Sequence, residues 1–336
     1  MGYGNVLAES AMLRTITVGH PNLDQKYGPV VGYLFVFGPN GTNGTVLSKD
    51  GAINRDFTVG ASGVAELVIP ENQFLGAYGD ILNKALLVYA DQPISAYFLN
   101  RQRGSTDMTY LLDVDALGTD YMVLDWKQSL GTLQVSLTAQ EDGTIAVIRP
   151  SSKLLSGQSA GVPFSVHLDK GQSMMLASAS GDDPTGTTIS ANKPLAVFAG
   201  AQCSNIPEGE YFCDHLFTQL PPKNHWSSHY VVPRTANTGS VGNLVRVLAG
   251  TDATQVRING VLAATLGAGK FYEIANAENV LIDASSPVLV GQFLKSTTIT
   301  NAGEIGDPSF TYINGIDQTL SEYVFVAPTV LAPYKE

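Results

Sequence analysis

The chain has 336 residues, 44% of them hydrophobic and only 15% charged, with a formal net charge of −11. That balance excludes a phosphate-backbone partner, because no Lys/Arg cluster stands apart from the acidic excess. No apolar run approaches the ~18 residues of a membrane span, and the start "MGYGNVLAESAMLRTITVGH" lacks the basic and apolar regions of a signal peptide.

Taken in chain order, residues 1–30 match no other part of the sequence and read as an N-terminal lead or assembly arm. "YLFVF" (33–37) is the first strand, and "NGTNGT" (40–45) reads as an Asn-Gly turn in preference to its two glycosylation sequons. A helical turn is expected around Asn72–Tyr78. "ADQPISAYFLN" (90–100) is a long apolar strand whose proline stands first, where no ladder donor is lost. A polar loop opens at Arg101 and includes Arg103. In "DMTYLLDVDALGTD" (107–120), Asp113, Asp115 and Asp120 are weak candidates for calcium, without the spacing of an EF-hand. No other metal or cofactor is indicated.

"TIAVI" (144–148) and "ANKPLAVFAGA" (191–201) continue the strand pattern, and then comes "CSNIPEGEYFCDHLFTQLPP", with both cysteines of the chain. Zinc through Cys203, Cys213 and His215 fits poorly, because structural zinc sites bring cysteines two to four residues apart with a second pair elsewhere. A Cys/His nucleophile lacks its activating pocket and oriented base. A disulfide closing "SNIPEGEYF" is favoured, with an oxidising destination. His215, His225 and His229 have no serine elbow to complete a triad. The acidic pairs at 141–142 and 182–183 read as solvated turns, not as the facing carboxylates of a glycosidase. "LVRVLAG" (244–250) and "TQVRI" (254–258) are strands, "GAGK" (267–270) is a hairpin turn without P-loop spacing, and a last helical turn is expected at Ile316–Ser321.

Three segments are versions of one phrase: "ADQPISAYFLN", "ANKPLAVFAGA" and "ASSPVLVGQFL" (284–294), with prolines at 93, 194 and 287. A second phrase places Tyr ahead of alternating apolar residues in "GTDYMVLDW" (118–126), "SSHYVVPRT" (227–235) and "LSEYVFVAP" (320–328). A period near ~100 residues suits a β-sandwich of seven or eight strands. The expected fold is therefore all-β, with tandem sandwich-like modules in a three-fold internal repeat at 31–115, 116–222 and 223–336. A β-propeller built from the same repeats is the alternative.

An ordered set of motifs runs through "GYLFVFGPN", "ISANKPLAVFAGAQCSNIP", "CDHLFTQLPPKNHWSSHYVVP", "VRVLAGTDATQVRING", "GDPSF" and "YVFVAP". In this set the chain resembles the N-terminal domain family of the IgGFc-binding protein over residues 31–328. The resemblance implies a β-rich extracellular domain associated with adhesion or mucus-like matrices, with no established catalytic site. Mammalian relatives carry a Gly-Asp-Pro-His self-cleavage motif in other domains. Here Gly306-Asp307-Pro308 is followed by Ser309, so no self-cleavage is expected.

The expected function is a non-enzymatic binding or adhesion module that presents loops from a rigid scaffold, outside the cell, on a cell surface or on a virion. Its partner would be a protein or glycan on a cell, matrix or virion surface, with neither nucleic-acid binding nor membrane insertion. A structural subunit that associates with its own copies is the alternative. The loop 203–213, the loop opening at Arg101 and residues 295–309 each follow a copy of the proline phrase, so they should share one end of the molecule. Arg101, Arg103, Tyr211, Phe212 and Trp226 are the candidate contact residues, with core packing the competing role for Trp226.

Overall fold

The computed structural model describes residues 8–12, 30–73, 78–102, 104–127, 129–235, 241–300 and 307–321; side-chain detail is given for these except 8–12 and 276. The described residues are all-β. The short helix α1 (Thr297–Thr300) and four 3-10 turns accompany the strands, two of the turns at Glu71–Gln73 and Ile316–Gln318, where helical turns are expected.

The first group of strands comprises β1 (Ala8–Met12), β2 (Val31–Phe37), β3 (Asn43–Ser48), β4 (Asn54–Thr58), β5 (Val64–Ile69), β6 (Ile81–Leu82), β7 (Leu86–Ala90), β8 (Ser95–Gln102) and β9 (Ser105–Leu111). The second comprises β10 (Gly118–Met122), β11 (Leu133–Ala139), β12 (Thr144–Arg149), β13 (Phe164–Leu168), β14 (Ser173–Ser178), β15 (Thr188–Ser204) and β16 (Asp214–Gln219). The third comprises β17 (Ser227–Val232), β18 (Asn243–Ala249), β19 (Thr254–Ile258), β20 (Val261–Leu266), β21 (Phe271–Ala277), β22 (Val280–Leu294) and β23 (Ser309–Tyr312).

One long strand organises each group. The first half of β15 lies between β12 and β10, and its second half lies between β11 and β16. β22 is held in the same way by β19 and β17, then by β18 and β23. In the first group the long strand is divided at Asp91–Ile94, giving β7 between β3 and β1 and β8 between β2 and β9. All pairings among the described strands are antiparallel, those between distant strands as well as those across short hairpins. The order β13-β12-β15-β11-β14 is not the consecutive meander of a propeller blade. Residues 8–12, within the lead that matches no repeat, pair with β7 in the place that β10 and β17 take.

In the second and third groups the long strand changes partners halfway, and apolar side chains of the strands along its two halves share a core. In the second group Ala146, Ile148 and Val166 from one half meet Val135, Leu137 and Leu176 from the other. Neighbouring groups also share core. Phe198 and Phe217 pack among first-group residues such as Leu34 and Phe98, and their rings stack at 5.5 Å. Trp126, Leu216, Trp226, Leu289 and Phe293 join the second group to the third.

Within that second junction Arg246 is buried to 1% exposure. Its guanidinium lies 4.5 Å from the Trp126 ring centroid and 4.3 Å from that of Phe271. It donates to Glu273 at 2.9 Å, to Asp183 at 3.0 Å and to the carbonyl of Asp125. A planar fork of donors between aromatic faces is an arrangement Lys cannot reproduce.

Candidate functional site

β9, β16 and β23 each follow the second half of a long strand, and β16 lies beside both of the others. Side chains join β9 to β16. Asp107 Oδ2 accepts from the Phe217 N–H at 2.8 Å, Thr109 Oγ1 from the Gln219 N–H at 3.0 Å, and Gln219 Oε1 from the Leu112 N–H at 2.8 Å. At the loop end Asp214 Oδ1 accepts from Ser105 Oγ at 2.7 Å, from the Thr106 N–H at 2.9 Å and from its neighbour His215 N–H at 2.7 Å. The loops after β8 and β15 are thus tied at one carboxylate.

Burial pushes the Asp214 carboxyl up to about 7, and the charge of Asp307 from the third loop adds to the rise. The bonds from Ser105, His215 and Thr106 offset part of it. Asp107 is raised well above the ordinary carboxylate value, by burial first. His215 is fully buried, its Nδ1–H donating to the Ala201 carbonyl at 2.8 Å and its Nε2 accepting from Asn100 Nδ2 at 3.1 Å. Burial depresses it to about 3, so the ring is neutral, with both nitrogens engaged in structural bonds. That arrangement suits a packed core histidine better than a general base.

Cys203 and Cys213 are joined by a disulfide with their Cα atoms 5.1 Å apart. The loop they close is seated on the second and third groups. Ile206 N–H donates to Ser296 Oγ at 3.1 Å while Ser296 N–H donates to the Ile206 carbonyl at 2.7 Å. Trp126 Nε1 donates to the Asn205 carbonyl at 3.0 Å, Lys127 pairs with Glu208 at 2.7 Å, and Thr298 Oγ1 donates to Glu210 at 2.9 Å. The Ile206–Pro207 peptide is cis. Beyond this anchorage Tyr211 and Phe212 are 75% and 68% exposed. Phe212 has φ +64°, a left-handed conformation that costs a non-glycine residue about 1–2 kcal/mol and aims the two rings outward.

The segments that follow the three long strands meet at one end, through Ser105 and Thr106 of β9, Asp214 of β16, Ser296, Thr298 and the charge of Asp307, but the polar loop expected at Arg101 is corrected: β8 runs on to Gln102 and β9 begins at Ser105. Arg101, at the end of β8, is half-buried opposite Thr106. Arg103 lies outside the described residues. Trp226 corrects the expectation of a contact residue. It is 6% exposed in the core between the second and third groups, its Nε1 directed at the Pro221 carbonyl. Gly250 makes room for it, since a Cβ there would stand 2.9 Å from the indole.

Asp113 and Asp115 are exposed around a 3-10 turn, whereas Asp120 accepts from Ser190 on β10's neighbour. Among the described residues no group of three or more His, Cys, Asp or Glu could hold a metal, so the three aspartates do not gather. His229 pairs with Asp283 at 2.8 Å on the exposed sheet face, far in role from buried His215. Sequence reasoning passed over Ser105, Asp107 and Ser296, and weighed Asp214 only as a further ligand in the disfavoured zinc reading, on its adjacency to Cys213.

A family model described as "IgGFc binding protein" matches residues 107–334. The human IgGFc-binding protein is 29% identical over 162 residues, which is 47% of this chain and 3% of that protein's length. This chain therefore spans a small part of that relative. No solved structure matches. Among the described residues no helix is long and apolar enough to cross a membrane.

Proposed function

The chain belongs to the IgGFc-binding protein family, and on that premise we propose that it is a non-enzymatic, extracellular protein-binding module whose contact surface is the shared loop end. The observation that carries the proposal is the exposed pair Tyr211 and Phe212, held on a loop closed by a disulfide and seated on the neighbouring sheet. Two adjacent aromatics lie largely in water instead of packing into the core. On a pre-ordered loop they can enter a partner's pocket with little further loss of conformational entropy. The disulfide and the low charge content support an extracellular setting. The immobilised His215 and the Asp214 carboxyl, which accepts three hydrogen bonds, support binding over catalysis.

The human relative's name gives the first probe, immunoglobulin Fc, to be tested by biolayer interferometry beside a panel of extracellular matrix proteins. Tyr211→Ser/Phe212→Ser should weaken any binding by about 30-fold, the loss of ~2 kcal/mol expected for two interface anchors. Unchanged affinity in that variant, with an unchanged melting temperature, would remove the loop from the interface.

A further inference from the structure

The outward face of β3, β4 and β7 carries a cavity of about 610 Å3, within the range of small-ligand sites. Antiparallel register explains its lining. Tyr89, Thr45 and Asp56 stand directly opposite one another across three strands, and Asn43 and Thr58 form the next row on the same face, with Asp91 hydrogen-bonded to Asn43 just past the end of β7. The rows are two residues apart, about 7 Å, which is the width of one sugar ring.

The side chains are already placed. Thr45 Oγ1 donates to Asp56 at 2.7 Å, Thr58 Oγ1 donates to Asn43 Oδ1 at 2.9 Å, and Asn43 N–H donates to Asp91 at 2.9 Å. Lys170 Nζ makes a cation–π contact with Tyr89 at 5.7 Å. The equivalent register places in the other two sheets hold Ser190 opposite Val147 and Asp283 opposite Arg257, with no aromatic ring. The combination of a ring with carboxylate, amide and hydroxyl groups is therefore particular to the first sheet.

We propose that this cavity is a binding site for a neutral saccharide, with Tyr89 packing against the sugar's C–H face and Asp56, Asp91 and Asn43 accepting from its hydroxyls. The lining is dominated by acceptor oxygens, with the one cation beside it, Lys170, held on the Tyr89 ring, and such a lining matches a ligand whose polar groups are hydroxyl donors. The site uses no residue of the loop end, so Tyr211→Ser/Phe212→Ser should leave it intact.

Saturation-transfer-difference NMR on the full chain tests the proposal with methyl galactoside, methyl mannoside and N-acetylglucosamine, beside sialic acid and choline. At least one neutral sugar should show transfer to its ring protons. Tyr89→Ala should weaken its affinity at least 10-fold, and Tyr89→Phe should keep it within about 3-fold. Thr58→Arg, on the exposed edge strand, should block the cavity by bulk and provides a second reading if Tyr89→Ala is poorly folded. No transfer to any neutral sugar would overturn the assignment, as would equal affinity in both Tyr89→Ala and Thr58→Arg. Choline binding tighter than every sugar would reassign the cavity to a cation and also overturn it.

Discussion

Asp214 gives the most demanding test of the loop end. Its carboxyl is held up to about 7 by burial and by the charge of Asp307, against about 3.9 for an unfolded aspartate. A group whose pKa is higher in the folded state contributes stability that is fully present below the unfolded value and lost as pH rises through the folded one. The slope from this one group is about 1.4 kcal/mol per pH unit between the two values and flattens as pH reaches the folded one, so about 2 kcal/mol should disappear between pH 5 and pH 7. Asp214→Asn keeps an oxygen for Ser105, Thr106 and His215 but carries no charge at any pH. The variant should melt with the wild type near pH 5 and above it at pH 8, by roughly 5 °C. Differential scanning calorimetry across pH 4.5–8.5 measures this, and taking the difference cancels the other carboxylates. A difference that stays constant with pH would refute the reasoning, and one that grows towards acid would reverse its sign.

Three further outcomes follow from the same coordinates. Cys203→Ser/Cys213→Ser reopens a ten-residue separation and should cost about 2–3 kcal/mol by loop entropy, read by denaturant unfolding, with protease cutting between 204 and 212 as the local signature. Arg246→Met leaves partly exposed Asp183 and Glu273 and the Asp125 carbonyl without their donor and should cost about 1–3 kcal/mol, and Arg246→Lys should recover less than half. Tyr121→Phe and Tyr230→Phe each remove a hydroxyl that donates to a long-strand carbonyl at 2.6 Å, Leu195 in one case and Val288 in the other, and accepts from the N–H that opens its own strand, Gly118 or Ser227. Each should cost about 1–3 kcal/mol in thermal melts, because the abandoned carbonyl and amide are wholly or partly buried.

The recurrence of that tyrosine shows how far linear sequence reaches. Tyr121 and Tyr230 belong to a phrase visible without coordinates, and the proline phrase marks β8, β15 and β22 in the same way. Alternation of apolar residues identified strands because side chains of a strand alternate between faces, a property local to the chain. The pairing of Cys203 with Cys213 was legible for a related reason, since two cysteines ten residues apart leave few other partners.

What the sequence by itself determined was the all-β class, the spacing of the long strands and the loops that follow them. All of these depend on residues near one another in the chain. Tertiary structure alone decided that Trp226 packs into the core, because its space is made by Gly250, just past the end of β18. It decided that Asp214 reaches Ser105, more than a hundred residues earlier, and that Tyr89 and Asp56 share one cavity. Burial and proton affinity are set by which distant segments exclude water from a group, and pairing register assigns those segments only when the sheets close.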